Sequence, residues 1–285
     1  MKKIIISLLL FTICITAFAQ QSYFVSANGN DSNNGLTENN AFATLSRAIQ
    51  AASTESIKQI TVVGTLQGFT MIRDTGSSEI LITGKPDASE YEKAVLIPTE
   101  PLLFNIQGNS NIRLENIILQ GTLGISNANS QGIGIDGAVV TLGRNLLITK
   151  FSANAGAGVN IRSGTLRMTG NATIAGNRSQ QGGGIYVNRG TLVMEENAII
   201  RDNEARNGAG IYNWAGLVQL RGNSLVTANK AESSGGGVYN ASRLEFSGGR
   251  ITGRSFTSHT FRRGNIRGNT AASANDGPDV FEDYT

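Results

Sequence analysis

The sequence predicts an all-β fold, a right-handed parallel β-helix of about nine coils closed at its N-terminal end by a capping strand and an amphipathic helix. Three observations predict it. Part of the chain repeats with a fixed period of 26 residues, and periods of that size mean stacked units. Within each unit the apolar residues alternate, as in Leu192-x-Met194, which is the period of a strand and not of a helix. Finally, the chain holds 35 glycines and only 4 prolines in 285 residues, with Gly, Asn and Ser gathered between short apolar runs, the composition of many short strands joined by tight turns.

The repeat is read by aligning Gly158, Gly184, Gly210 and Gly237, which stand before Val159, Ile185, Ile211 and Val238 at spacings of 26, 26 and 27. Other columns keep the period: Leu166, Leu192 and Val218; Asn171, Asn197 and Asn223; Ile174, Ile200 and Val226; Asn177, Asn203 and Asn229. Three strands of three to six residues and three turns fill one such unit. A single coil cannot bury its apolar face alone, so the coils must stack, with equal positions directly above one another. Stacked Asn side chains can hydrogen-bond along their column, so the Asn columns are expected to be structural. Charges follow the same register: Arg178, Glu204 and Lys230 form one column, Glu195 lies under Arg221, and Arg206 under Glu232. Opposite charges on neighbouring strands are favourable. The regular repeats span about 132–240, inside a β-helix expected over 57–285.

Residues 20–56 read as the cap. Tyr23, Phe24 and Val25 form a strand, a Gly/Asn/Ser loop follows, and Phe42, Leu45, Ala48, Ile49 and Ala52 then recur at helical spacing with Thr44 as N-cap. A helix lying over the first coil would hide the core that an open solenoid end exposes. The C-terminal stretch is polar and weakly patterned, and is expected to form a frayed last coil.

Residues 1–19 read as a secretory signal, with Lys2 and Lys3, an apolar run from Ile4 to Thr16, and Ala17-Phe18-Ala19 as the cleavage pattern. The run is short for a membrane span, and Ile13 before Cys14 argues against a lipid anchor. The mature chain would carry no cysteine, so its stability must come from its core. The formal charge of +3 falls to +1 once Lys2 and Lys3 are removed, and this balance calls for no nucleic-acid partner.

Two sets of residues carry a resemblance. Gly29-Asn30-Asp31 and Phe42-Ala43-Thr44 resemble the cap of bacterial right-handed parallel β-helix proteins of the pectate-lyase-like superfamily, with Ala41 standing where that pattern has proline. The 26-residue unit resembles the repeats of chlamydial polymorphic membrane proteins. Gly182–Ile185, Gly208–Ile211 and Gly235–Val238 approximate their Gly-Gly-Ala-Ile motif, and Phe151–Asn154 matches Phe-x-x-Asn. The first resemblance implies polysaccharide lyases and hydrolases. The second implies surface adhesins, although no run of ten-residue amphipathic strands follows here to make their β-barrel.

Lyase chemistry needs a base for the α-proton and often Ca²⁺ among clustered carboxylates, and hydrolysis needs paired carboxylates across a cleft. The chain has no Asp-Asp pair and one histidine. The catalytic candidates are His259 and Arg262, in a segment that interrupts the repeat, and Asp202, which falls outside the charge columns and whose bland alternative is a solvated turn residue. A binding face is the stronger reading. With Ile185 and Ile211 turned inward, Tyr186, Tyr212 and Tyr239 face outward in one column with Trp214 beside them, and exposed aromatics hold sugar rings. The alternative is that the rings only cover the sheet. The sequence therefore points to an exported protein, on the cell surface, outside the cell or in the periplasm, that binds a polysaccharide or an envelope or host surface component. No cofactor or metal is implied, Ca²⁺ entering only with the lyase alternative. A structural module of the cell envelope is the third reading.

Overall fold

The computed structural model describes residues 21–87, 93–122 and 130–247, together with strands at 266–267, 270–271 and 280–282. The chain winds through parallel strands that fall into four sheets of nine, eight, eight and five strands, here called A, B, C and D. One turn of the regular part shows the plan. Thr165–Met168 lies in sheet A, Thr173–Ala175 in B, Arg178–Gln181 in D and Ile185–Val187 in C, and the chain then re-enters A one coil further on. The solenoid has about seven coils and not nine. Coil length is uneven in the first half, 22 residues from Ile60 to Ile82 but 32 from Ile82 to Leu114, so the 26-residue period does not count the coils there. Val238–Asn240 pairs with Val280–Glu282, so strands of the C-terminal stretch do close a last coil.

The 26-residue register is the one the columns predict. Val159, Ile185 and Ile211 pair in sheet C, Leu166, Leu192 and Val218 in sheet A, and Ile148, Ile174 and Ile200 in sheet B. All nine of these side chains are fully buried, in one core that runs from Tyr23 to Leu244. Burying each contributes about 1.5–3 kcal/mol. The glycine column has a steric cause. A Cβ on Gly158, Gly184 or Gly210 would stand 2.5–2.6 Å from the carbonyl oxygen of the glycine one coil on, closer than any side chain permits.

The Asn column between sheets B and D is buried and fully bonded. Asn177 donates from its backbone N and its Nδ2 to Asn203 Oδ1, each at 3.0 Å, and Asn203 does the same to Asn229 Oδ1 at 3.0 and 2.9 Å. Their Nδ2 groups also reach the carbonyls of Ile148, Ile174 and Ile200. The charge columns keep their register, Arg178 against Glu204 and Glu204 against Lys230. The ion pairs that form run differently: Arg178 reaches Glu232 at 3.8 Å, and Glu195 is held by Arg167 at 3.2 Å, not by Arg221. Long side chains reach across diagonals as well as straight up a column.

The cap is as expected. Leu45–Thr54 forms the helix, Thr44 Oγ1 accepts from Arg47 N, and Leu45, Ala48, Ile49, Ala51 and Ala52 are buried. Asp31 ties the loop to the helix start, its Oδ1 accepting from Ala43 N and Thr44 N at 2.9 Å and its Oδ2 from the Thr44 hydroxyl at 2.8 Å. Phe42 lies just before the helix, bridged to Val25, with the Arg47 guanidinium 4.7 Å above its ring. Tyr23 donates to Glu55 Oε2 at 2.5 Å, and burial with this carboxylate beside it pushes its phenol up to about 12.

Candidate functional site

Sheet C and the corner where it turns into sheet A build the candidate site. Along the outward column of sheet C the register runs Met71, Asn105, Gly134, Asn160, Tyr186, Tyr212, Tyr239. The first half of this column is small or flexible, and the second half is aromatic. Fixed strand spacing forces the tyrosine rings into a stack. Tyr186 and Tyr212 have centroids 5.4 Å apart at 10°, and Tyr212 and Tyr239 are 4.5 Å apart at 1°. Trp214, at the corner, lies 6.5 Å from Tyr212 at 17°. The structure thus brings together all four aromatic residues that the repeat singled out.

Their exposure differs from the expectation at one position. Tyr212 is 4% exposed, because Tyr186, Tyr239 and Trp214 surround it. It offers no free ring face to a ligand and serves as the middle of the stack. Tyr186 and Tyr239 are half-buried, and Trp214 is 51% exposed. Tyr186 ends the stack among the described residues. One face lies on Tyr212, and the other turns toward the coil of Asn160 and Gly134, where no aromatic side chain stands. Burial raises its phenol above the ordinary tyrosine range, so the ring stays neutral.

The space at that free face is a polar cleft of about 430 Å³, lined beside Tyr186 by Asp136, Asn160, Arg162, Ser163, Asn188 and Arg189. Three successive coils supply it, since Asn188 N donates to Ile161 O, Arg162 N to Ile135 O and Arg189 N to Arg162 O. The Ser163 hydroxyl donates to Asp136 Oδ1 at 2.6 Å. Asn160 Oδ1 is buried and has no hydrogen-bond partner among the described residues. None of these residues was singled out by the repeat. The signal that could have found them is the tyrosine column itself, followed one and two coils back to Asn160 and Gly134.

The catalytic candidates fare differently. His259 and Arg262 lie outside the described residues. Asp202 has φ 55°, in a column whose other turn residues Lys150, Gly176 and Ala228 have φ 62°, 67° and 53°. Asp tolerates this left-handed turn better than most residues, and its carboxylate pairs with the neighbouring Arg201. Its position is that of a turn residue. A buried carboxylate does exist at Glu115, 6% exposed, but Arg113 holds it at 2.6 Å and it does not line the cleft. Among the described residues no group of three or more His, Cys, Asp or Glu side chains could hold a metal ion.

No protein-family model, curated protein or solved structure matches this chain. What the site can do must therefore be read from its own residues. A neutral aromatic face with polar and charged side chains beside it suits a ligand with one apolar face and a hydroxylated edge.

Proposed function

We propose that the protein is an exported parallel β-helix of the pectate-lyase-like kind that binds glycan without cleaving it, its repeats serving, as in the polymorphic membrane proteins they resemble, to present a long binding face. The observation that carries this reading is the free face of Tyr186 at the end of the aromatic stack, opening on the polar cleft. A pyranose ring has an apolar C–H face and a rim of hydroxyls. Its face would lie on Tyr186, and its hydroxyls would meet the polar residues that line the cleft. Tyr212 and Tyr239 support the ring from below by stacking, so the platform is pre-organised, which lowers the entropy lost on binding. Export rests on the signal-like stretch 1–19, and a surface or extracellular role rests on export and on the adhesin-like repeats. The partner would be a polysaccharide, or a glycan on an envelope or host surface.

Trp214 is the only tryptophan of the chain and stands one coil beyond Asn188 at the corner, so its fluorescence reports on the cleft. Titration of the mature protein with oligosaccharides is expected to shift that emission, and Tyr186→Ala to abolish the shift without lowering the melting temperature by more than a few degrees. No shift and no calorimetric heat with any of a broad set of neutral and acidic glycans would reject the reading.

A further inference from the structure

The cleft also carries a charge preference. Arg162 and Arg189 are both exposed, stand on neighbouring coils joined by the Arg189 N–Arg162 O hydrogen bond at 3.2 Å, and line the same cleft. Neither guanidinium makes an ion pair with another described residue, whereas Arg113, Arg167, Arg178, Arg201 and Arg243 each do. The one carboxylate in the lining, Asp136, accepts from the Ser163 hydroxyl. The cleft therefore faces its ligand with two cations whose donors are unspent, one carboxylate bonded to a hydroxyl, and the face of Tyr186.

We infer that the sugar unit held at Tyr186 is an acidic one, its carboxylate or sulfate gripped directly by Arg162 and Arg189 with no bridging cation. This rests on the glycan-binding reading above. Guanidinium groups pair with carboxylate and sulfate oxygens through short, charge-assisted hydrogen bonds. A ring lying on Tyr186 would present its edge to the cleft that the two arginines line. Ring face and acid group would thus be met by two different chemistries. The aromatic face would hold a neutral sugar as well. The arginines would add the larger share of affinity for the charged one.

The test compares a neutral oligosaccharide with its uronate counterpart, matched in length and linkage, by titration calorimetry with and without EDTA. The uronate is expected to bind at least about tenfold more tightly, the difference of one charge-assisted contact, and EDTA to change nothing. The double variant R162A/R189A should erase the preference, weakening the uronate far more than the neutral ligand, while Tyr186→Ala should weaken both. Both arginines are surface residues, so the double variant is expected to keep the wild-type melting curve, and R162K/R189K to recover part of the preference. Equal affinities for the two ligands, or a preference that survives R162A/R189A, would overturn the inference and leave glycan binding standing. A preference that EDTA removes would also overturn it, in favour of a cation bridge. Binding of neither ligand would sink the reading beneath it.

Discussion

In sheet A the pairing advances by 22 residues from Ile60 to Ile82, by 32 from Ile82 to Leu114 and by 28 from Ile112 to Val140. From Val140 onward it advances by 26 at every step, through Leu166, Leu192 and Val218 to Leu244. Sheets A, B and C run through both halves as parallel ladders over one continuous core, while sheet D begins only at Ser152–Ala155, in the regular half. What also changes is everything that depends on like side chains standing over one another. The buried Asn ladder, the tyrosine stack and the glycine column all lie in the regular half. A β-helix needs only apolar residues at the inward positions, and a loop of any length can restore those. A side-chain ladder needs, in addition, like residues at matched positions of successive coils. The cleft at Tyr186 lies just where the aromatic column of the regular half gives way to Asn160 and Gly134.

The glycines should break this comparison most sharply. Gly184→Ala puts a Cβ 2.6 Å from the Gly210 carbonyl oxygen, whereas a Cβ on Gly68 in the irregular half meets nothing within 4 Å. Gly184→Ala is expected to lose about 4 kcal/mol or more in urea unfolding, and Gly68→Ala to stay within about 0.5 kcal/mol of wild type. The Asn ladder comes next. Asn203→Ala strands two donors of Asn177 and the carbonyl of Ile174 in a buried place, and should cost about 3 kcal/mol. Asn105, half-buried and with its side chain bonded among the described residues to Gln107 Nε2, should lose about 1 kcal/mol or less on the same change. A similar loss at both positions would mean that the ladder adds nothing beyond the backbone.

Two smaller effects sharpen the comparison. Ile200→Val in the regular half and Ile112→Val in the irregular half remove the same methylene from fully buried sites, so both should cost about 1 kcal/mol, and a clear difference in unfolding midpoint would show that the period matters to the core after all. The cap adds a pH effect confined to the irregular end. Tyr23 ordinarily titrates near 10.0 and here near 12, so the folded state prefers the neutral phenol. The stability this gives is whole below pH 10 and is lost as pH rises through about 12. Glu55→Gln removes the carboxylate but not the burial, so phenolate absorbance should appear at lower pH while remaining above the ordinary range. An unmoved titration would show that Glu55 contributes nothing.

The same contrast explains what could be read in the sequence. The regular coils, their register and the structural Asn column follow from equal spacings, and the cap helix from Thr44 and the apolar spacing after it. The coil count did not follow, because coils that pair Ile72 with Ile106 or Ile82 with Leu114 have no common length to count by. At the site, the four aromatics were visible as a column. The burial of Tyr212 was not, since it comes from rings one coil away on either side and from Trp214. The cleft was hidden for the opposite reason. It is made where the column stops repeating, by Asn160 and by arginines at the corner of successive coils, and a search for repetition passes over such residues. The ion pairs show a similar limit: the register places Arg178 under Glu204, but side-chain length lets it reach Glu232.

The central claim is that the Tyr186 cleft holds glycan and does not cut it. The most direct test incubates the mature protein and its Tyr186→Ala variant with immobilised acidic and neutral polysaccharides, and measures retention together with the release of new reducing or unsaturated ends. The account predicts that the wild type is retained, that the variant is not, and that neither creates new ends. New ends from the wild type, or retention that Tyr186→Ala leaves intact, would contradict it.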